Sequence, residues 1–335
     1  MKAKHMLIHS LIPLSMLGTV NANTHTDGLD WELYGSLRLA AETVDADQAD
    51  DYSGLRDAYT RIGAKATYAI NDEWNLMGQL EAPFDLANVE LQSPFDPTED
   101  YRIGKLQISG PLGTAWYGRG WMAFYNYIQY PTDYFSSYYS GWDTYTTFRR
   151  SETFYYSSPR FSGLQFVFAS TDDNGTEDDN RNQYVLSYAN GGLSLAIGRD
   201  DSQNAANFMI DGASASYTTG PWYVAGQYQK ISSDAPTTNA WNSDNNELIS
   251  VMVQYAIDDK NTIRGKIANV ENYGEDMYHI GWDHQYNDDL KVFAEYYSEE
   301  TTNAINTSKN PNNWTYANNG GQAFSVGVRY DFSTK

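Results

Sequence analysis

Apolar and polar residues alternate along most of this chain. In "WELYGSLRLAAE", Leu33, Leu37, Leu39 and Ala41 share one face, while Glu32, Tyr34, Ser36 and Arg38 share the other. "DAYTRIGAKATYAI" sets Thr60, Ile62, Ala64, Ala66, Tyr68 and Ile70 against Tyr59, Arg61, Lys65 and Thr67. The pattern recurs in "EWNLMGQLEAPF", "NELISVMVQYAI", "MYHIGWDHQY" and "FSVGVRYDF". Side chains of an extended strand point to its two faces in turn. A sustained period of two therefore predicts strands with one greasy side and one polar, often charged, side.

Short, turn-prone connections near Asn71, Asp258 and Asn287 take turns with long polar ones at 43–56, 86–100, 171–180, 232–245 and 301–320. Short turns on one rim and long loops on the other predict an all-β fold, a transmembrane antiparallel β-barrel. At roughly 20 residues per strand and connection, the chain holds about 16 strands. A soluble sandwich could use the same alternation to pack a core. Long strands, tyrosine and tryptophan at strand ends, and arginines on the polar face favour the barrel. The alternative from another class is a soluble secreted β-rich protein that binds or hydrolyses carbohydrate.

Composition narrows the function. The 335 residues include 43 acidic and 22 basic ones, a net charge of −21, which argues against a nucleic-acid partner. Cysteine is absent, so an exported chain of this sequence is held by its backbone ladder and packing alone. No run of apolar residues is long enough for a transmembrane helix. Lys2 and Lys4, the apolar "MLIHSLIPLSMLGTV" and the small-residue site Val20-Asn21-Ala22 predict a signal peptide over 1–22, leaving 23–335 for the barrel. Nucleophile-elbow, P-loop and dinucleotide motifs are missing, and no histidines stand at metal-ligand spacing. Neither enzyme chemistry nor a cofactor or metal is expected.

One stretch breaks the alternation. "NYIQYPTDYFSSYYSGWDTYTTFRR", residues 126–150, holds nine aromatic residues in twenty-five with neither a helical nor a strand period. It follows "LGTAWYGRG" and precedes "FYYSSPRFSGLQFVFAS". Together with "LYGSLRL", "YTRIGAKATYAINDEWNLMGQLEAPF" and the terminal "VGVRYDF", these segments resemble the general diffusion porins of Gram-negative outer membranes. The likeness covers essentially the whole mature chain. It implies a homotrimer of 16-stranded barrels in the cell outer membrane, in contact with lipopolysaccharide. Ions and small hydrophilic solutes would pass by diffusion, without chemistry.

The resemblance also implies that a long third loop, approximately 120–148, folds into the pore and narrows it, its acids facing arginines on the wall. Arg61 in "YTRIG", Arg102 in "YRIGK" and Arg119 in "YGRG" match that cluster. Arg149 or Arg150 supplies a further member. Ser36 stands where the family often has lysine, and Arg38 is inward by the same parity. Asp133 in "YPTD" matches the first loop acid; the second falls on Ser137, and Asp143 is a candidate substitute. The rings of Tyr130, Tyr134, Phe135, Tyr138, Tyr139 and Trp142 either wedge the loop against the wall or stack on sugars, which would make the channel oligosaccharide-selective. Overall charge favours cations and an arginine ladder favours anions. Tyr330 and Phe332 end the alternating aromatic set that the barrel assembly machinery reads in the family, although Ser-Thr-Lys follows here.

Overall fold

The computed structural model describes residues 28–47, 50–93, 101–172, 180–202, 207–234, 243–272, 274–301, 304–305 and 320–335. The expected signal peptide and parts of the long connections lie outside the described residues. Seventeen strand segments follow one another: β1 Leu29–Ala46, β2 Tyr52–Asp57, β3 Arg61–Ala69, β4 Asn75–Pro83, β5 Ile103–Gly110, β6 Gly113–Trp121, β7 Arg149–Ser157, β8 Leu164–Thr171, β9 Arg181–Asn190, β10 Leu193–Ser202, β11 Met209–Thr219, β12 Trp222–Ser232, β13 Glu247–Ala256, β14 Asn261–Val270, β15 Glu275–Gln285, β16 Leu290–Glu299 and β17 Gly321–Ser333. Pairing is antiparallel throughout, and β1 meets β17 from Tyr34↔Ser333 to Ala46↔Gly321, so the sheet closes on itself. Both β2 and β3 lie along the other edge of β1, as two halves of one strand. The result is a closed 16-stranded barrel.

Closure satisfies every strand edge, which lets the outer face be apolar. That face is greasy all round: Leu33, Ile62, Leu80, Leu106, Ile267 and Ile280 are all exposed, Leu80 to 67% and Ile280 to 60%. A soluble sandwich would have covered such a belt. The short turns form through local chemistry. Asn71, Asp258 and Asn287 each accept backbone N–H bonds from residues two and three ahead, at 2.7–3.0 Å.

Two sequence expectations change here. The connection expected at 43–56 is mostly strand, because Thr43 and Val44 pair with Ser53 and Tyr52. The run from Tyr59 to Ile70 is also not one clean alternation. Leu37 and Arg38 of β1 face three residues, Ala58 to Thr60, since the register passes from Leu39↔Asp57 to Ser36↔Arg61. This extra residue resets the phase. Thr60 therefore does not join Ile62 outside; it is buried, accepts the Arg38 N–H at 2.9 Å and donates to the Arg38 carbonyl. Tyr59, at φ +70°, turns inward to stack on Tyr138 at 5.6 Å.

The aromatic stretch lies inside the barrel. Leaving β6, the chain passes through a wide helical turn (Tyr125–Gln129) and a tight one (Tyr130–Thr132), then crosses to the opposite wall. Met122, Phe124, Ile128, Tyr139, Trp142 and Tyr145 are buried against inward side chains such as Val185, Ile210, Ile231, Leu248 and Tyr297. Burying a side chain of this size contributes about 1.5–3 kcal/mol relative to exposure. The inner face of the barrel is thus apolar where the loop rests, rather than polar throughout.

Polar groups of the loop find partners on the wall. Glu295 accepts the backbone N–H groups of Ser136 (2.7 Å) and Ser137 (3.0 Å) and a contact from His279, whose ring stacks on Phe135. Glu42 accepts from the Tyr139 hydroxyl at 3.0 Å and pairs with Arg56 at 2.6 Å. Asp200 accepts from Thr146, Gln183 from the Phe124 N–H, and Gln229 from the Tyr145 N–H. Asp143 points the other way: Lys266 on β14 reaches it at 2.6 Å and Ser250 on β13 at 2.7 Å.

Both ends of the Asp143–Lys266 pair are sealed from water, with 0% and 3% of their side chains exposed. Asp143→Ala leaves a buried ammonium without a counter-charge and is expected to destabilise the barrel by about 3–5 kcal/mol. The double change Asp143→Leu with Lys266→Met should recover most of that loss; denaturant unfolding in detergent measures both. At the seam, the ring of Phe332 lies 2.5 Å from where a Gly35 Cβ would stand, and the Arg61 carbonyl is 2.8 Å away. Gly35→Val should therefore cost about 1–3 kcal/mol in the same assay.

Candidate functional site

Where the loop does not rest, the wall of β1, β3 and β17 carries arginines. Arg38, Arg61 and Arg329 stand on inward positions, and Arg102 joins them from the residue before β5. The register sets Arg38 directly opposite Arg329, and Ser36 between Arg61 and Asp331. Arg329, Arg61 and Arg102 all act electrostatically on Arg38. Like charges this close repel, and the cluster is held by few acids. Arg102 donates to Glu81 at 2.9 Å, with Arg61 4.0 Å from the same carboxylate. The Tyr34 hydroxyl donates to the other Glu81 oxygen. Arg329 pairs with Asp331 at 2.7 Å, and Arg38 donates to Ser36 at 2.8 Å.

Of the two consecutive arginines after the loop, Arg149 joins this group. Its guanidinium lies 4.5 Å from the Trp121 ring, which Arg102 also approaches at 5.8 Å, and its charge acts on Glu81. Arg150 sits opposite Gly120 across the strand pair. Arg119 is a correction. It shares a face with Tyr117, exposed on the outside, and pairs with Gly104, whose side is covered by Tyr101 and Leu80. The pairing with Gly104 turns Arg119 to the outer face, the register shift at Gly118–Gly120 breaks the alternation before Trp121, and Arg119 donates to Ser151 at 3.4 Å.

The loop side facing the arginines offers phenols more than carboxylates. Asp133 is occupied by the Tyr125 hydroxyl at 2.8 Å and by Ser140. Asp143 does not substitute for the acid absent at Ser137. It is buried in the anchor to Lys266, and the Ser137 N–H is bound to Glu295. Phe135, Tyr138, Tyr139 and Trp142 are buried as well, so their ring faces are used in packing and not offered to a solute. Tyr130 and Tyr134 stay half-buried, beside Tyr223 of β12. Among the described residues, five guanidiniums (Arg38, Arg61, Arg102, Arg149 and Arg329) and three carboxylates (Glu81, Asp331 and Asp133) gather here, within an acidic chain.

Arg329 and Glu81 were not singled out as site residues from the sequence. Both stood on the polar face of alternating runs, so strand parity could have found them. Their closeness to Arg38 and Arg61 depends on the ring closing. Tyr330 and Phe332 stack on each other at 5.9 Å along the outer seam.

Known proteins resemble this chain in family and fold. The family model described as Gram-negative porin matches residues 15–304. Outer membrane protein Omp-EA of Erwinia amylovora is 30% identical over 169 residues, 48% of this chain; the match spans only 44% of that protein's length. OmpF of Salmonella typhi, solved with daunomycin, superposes with a TM-score of 0.71 at 17% identity, covering 92% of this chain and 99% of its own. An anion-selective porin from Comamonas acidovorans gives 0.69 at 16% identity, covering 91% and 100%. At such identities the superpositions speak for the fold alone. The family model and the closed sixteen-stranded ring agree, and the chain belongs to the Gram-negative porins.

Proposed function

We propose that this protein is a water-filled channel of the outer membrane through which ions and small hydrophilic solutes diffuse passively, with a preference for anions. The observation that carries the reading is the wall of guanidiniums around Arg38 inside a closed, outwardly apolar barrel. Fixed charges at close quarters act on an ion through their field, strongly where low-dielectric walls confine it. The loop at approximately 120–148 narrows the pore, and its anchors to Glu42, Glu295 and Lys266 hold it in place. No catalytic step belongs to this reading.

Three further assignments complete it. The signal peptide ends at Ala22. The chain assembles as a homotrimer through the outer face of β3 to β5, where small residues (Ala64, Ala66, Gly78, Ala82 and Gly104) alternate with the exposed Ile62, Leu80 and Leu106. Its partners are lipopolysaccharide and the barrel assembly machinery, the latter reading the aromatic set that ends at Tyr330 and Phe332.

In planar bilayers the purified protein should give stepwise conductance, and in a salt gradient the reversal potential should have the sign of anion preference. Arg61→Gln combined with Arg149→Gln should move that potential towards cations. A soluble protein without conductance would end the channel reading, and an unchanged reversal potential would end the role given to the arginines.

A further inference from the structure

A continuous line of rings runs along the loop side of the lumen. Trp121 stacks on Tyr125 at 4.7 Å; Tyr125 meets Tyr130 at 6.1 Å, Tyr130 meets Tyr134 at 5.3 Å, and Tyr134 meets Tyr223 at 5.1 Å. Trp121 ends β6, at the rim of long connections, and Tyr223 is the second residue of β12, just past a short turn. The line therefore passes from one rim towards the other, along the barrel rather than around it. Tyr125, the link between Trp121 and Tyr130, is buried, while Trp121, Tyr130, Tyr134 and Tyr223 are half-buried.

The guanidiniums face this line. Arg102 and Arg149 lie over Trp121 at its upper end, and the charges of Arg38 and Arg329 reach Tyr130 lower down. Rings and cations thus form two adjoining rails that touch at Trp121. An aromatic face suits the apolar C–H face of a sugar ring, much as it accepts a flat base. A guanidinium presents a planar fork of donors that matches a carboxylate. A neutral sugar would use the first rail alone and a small anion the second alone. A chain of sugars with a carboxylate on each residue uses both.

We propose that these rails bind acidic oligosaccharides lengthwise, as a selective route through the channel. The proposal rests on the channel reading and names its preferred solute. Single-channel recording on the full-length protein tests it, with trigalacturonate, maltotriose and citrate as probes. Trigalacturonate should block the current transiently at a concentration at least about tenfold below that needed of either control. Tyr130→Ala with Tyr134→Ala should abolish that preference, whereas Tyr130→Phe with Tyr134→Phe, which keeps the rings, should retain it.

Equal potency of maltotriose would overturn the part given to the guanidiniums, and equal potency of citrate the part given to the rings. An Ala variant blocked as strongly as its parent would overturn the proposal as well. A protein that conducts but shows no block by trigalacturonate fails the proposal and leaves the channel intact. One that does not conduct at all fails the channel reading itself.

Discussion

A polar group withdrawn from water must find a hydrogen-bond partner, and inside this barrel that requirement falls on an entire loop. The segment between β6 and β7 brings backbone amides and hydroxyls into an enclosed space. The wall answers with acceptors: Glu42, Asp200 and Glu295, and the amides of Gln183 and Gln229. Carboxylates are well suited to this, since each ionised group accepts several bonds and donates none. The single loop acid that reaches the far wall, Asp143, does so because Lys266 needs a counter-charge there.

This division of labour shapes the pore. Wall acids on β1, β10 and β16 are spent on the loop or on neighbouring cations, so they contribute little field to the free lumen. On the opposite arc, Arg102 and Arg61 share Glu81, and Arg329 pairs with Asp331. A chain with a net charge of −21 can in this way gather arginines on one arc of its lumen. Net charge speaks for the whole surface, whereas a permeating ion responds to what lies within a few ångströms in a confined space.

Phase resets matter as much as charges. One extra residue opposite Leu37 and Arg38 lets Arg56 and Arg61 both face inward, although five positions separate them. Arg56 supports Glu42 and packs on Tyr138 at 4.2 Å, while Arg61 joins the lumen cluster. The same irregularity sends Tyr59 onto the loop, where its hydroxyl donates to the Tyr138 carbonyl at 2.9 Å. A regular strand could not have served both purposes.

The sequence by itself determined the strands, their apolar outer face and the place of the irregular aromatic segment, because a period of two is a local property that each strand carries alone. It also marked Arg38 by its parity with Ser36, while Arg61 and Arg102 were marked by their place in segments that resemble the porins. Only the tertiary structure decided which arginine after the loop joins the cluster, why Arg119 does not, and that Asp143 is an anchor. Those outcomes depend on bulges and on contacts between residues more than a hundred positions apart, such as Asp143 with Lys266 and Ser136 with Glu295. No local pattern encodes them: they arise when the ring closes and the enclosed loop meets the wall groups that pair with its amides, hydroxyls and acids.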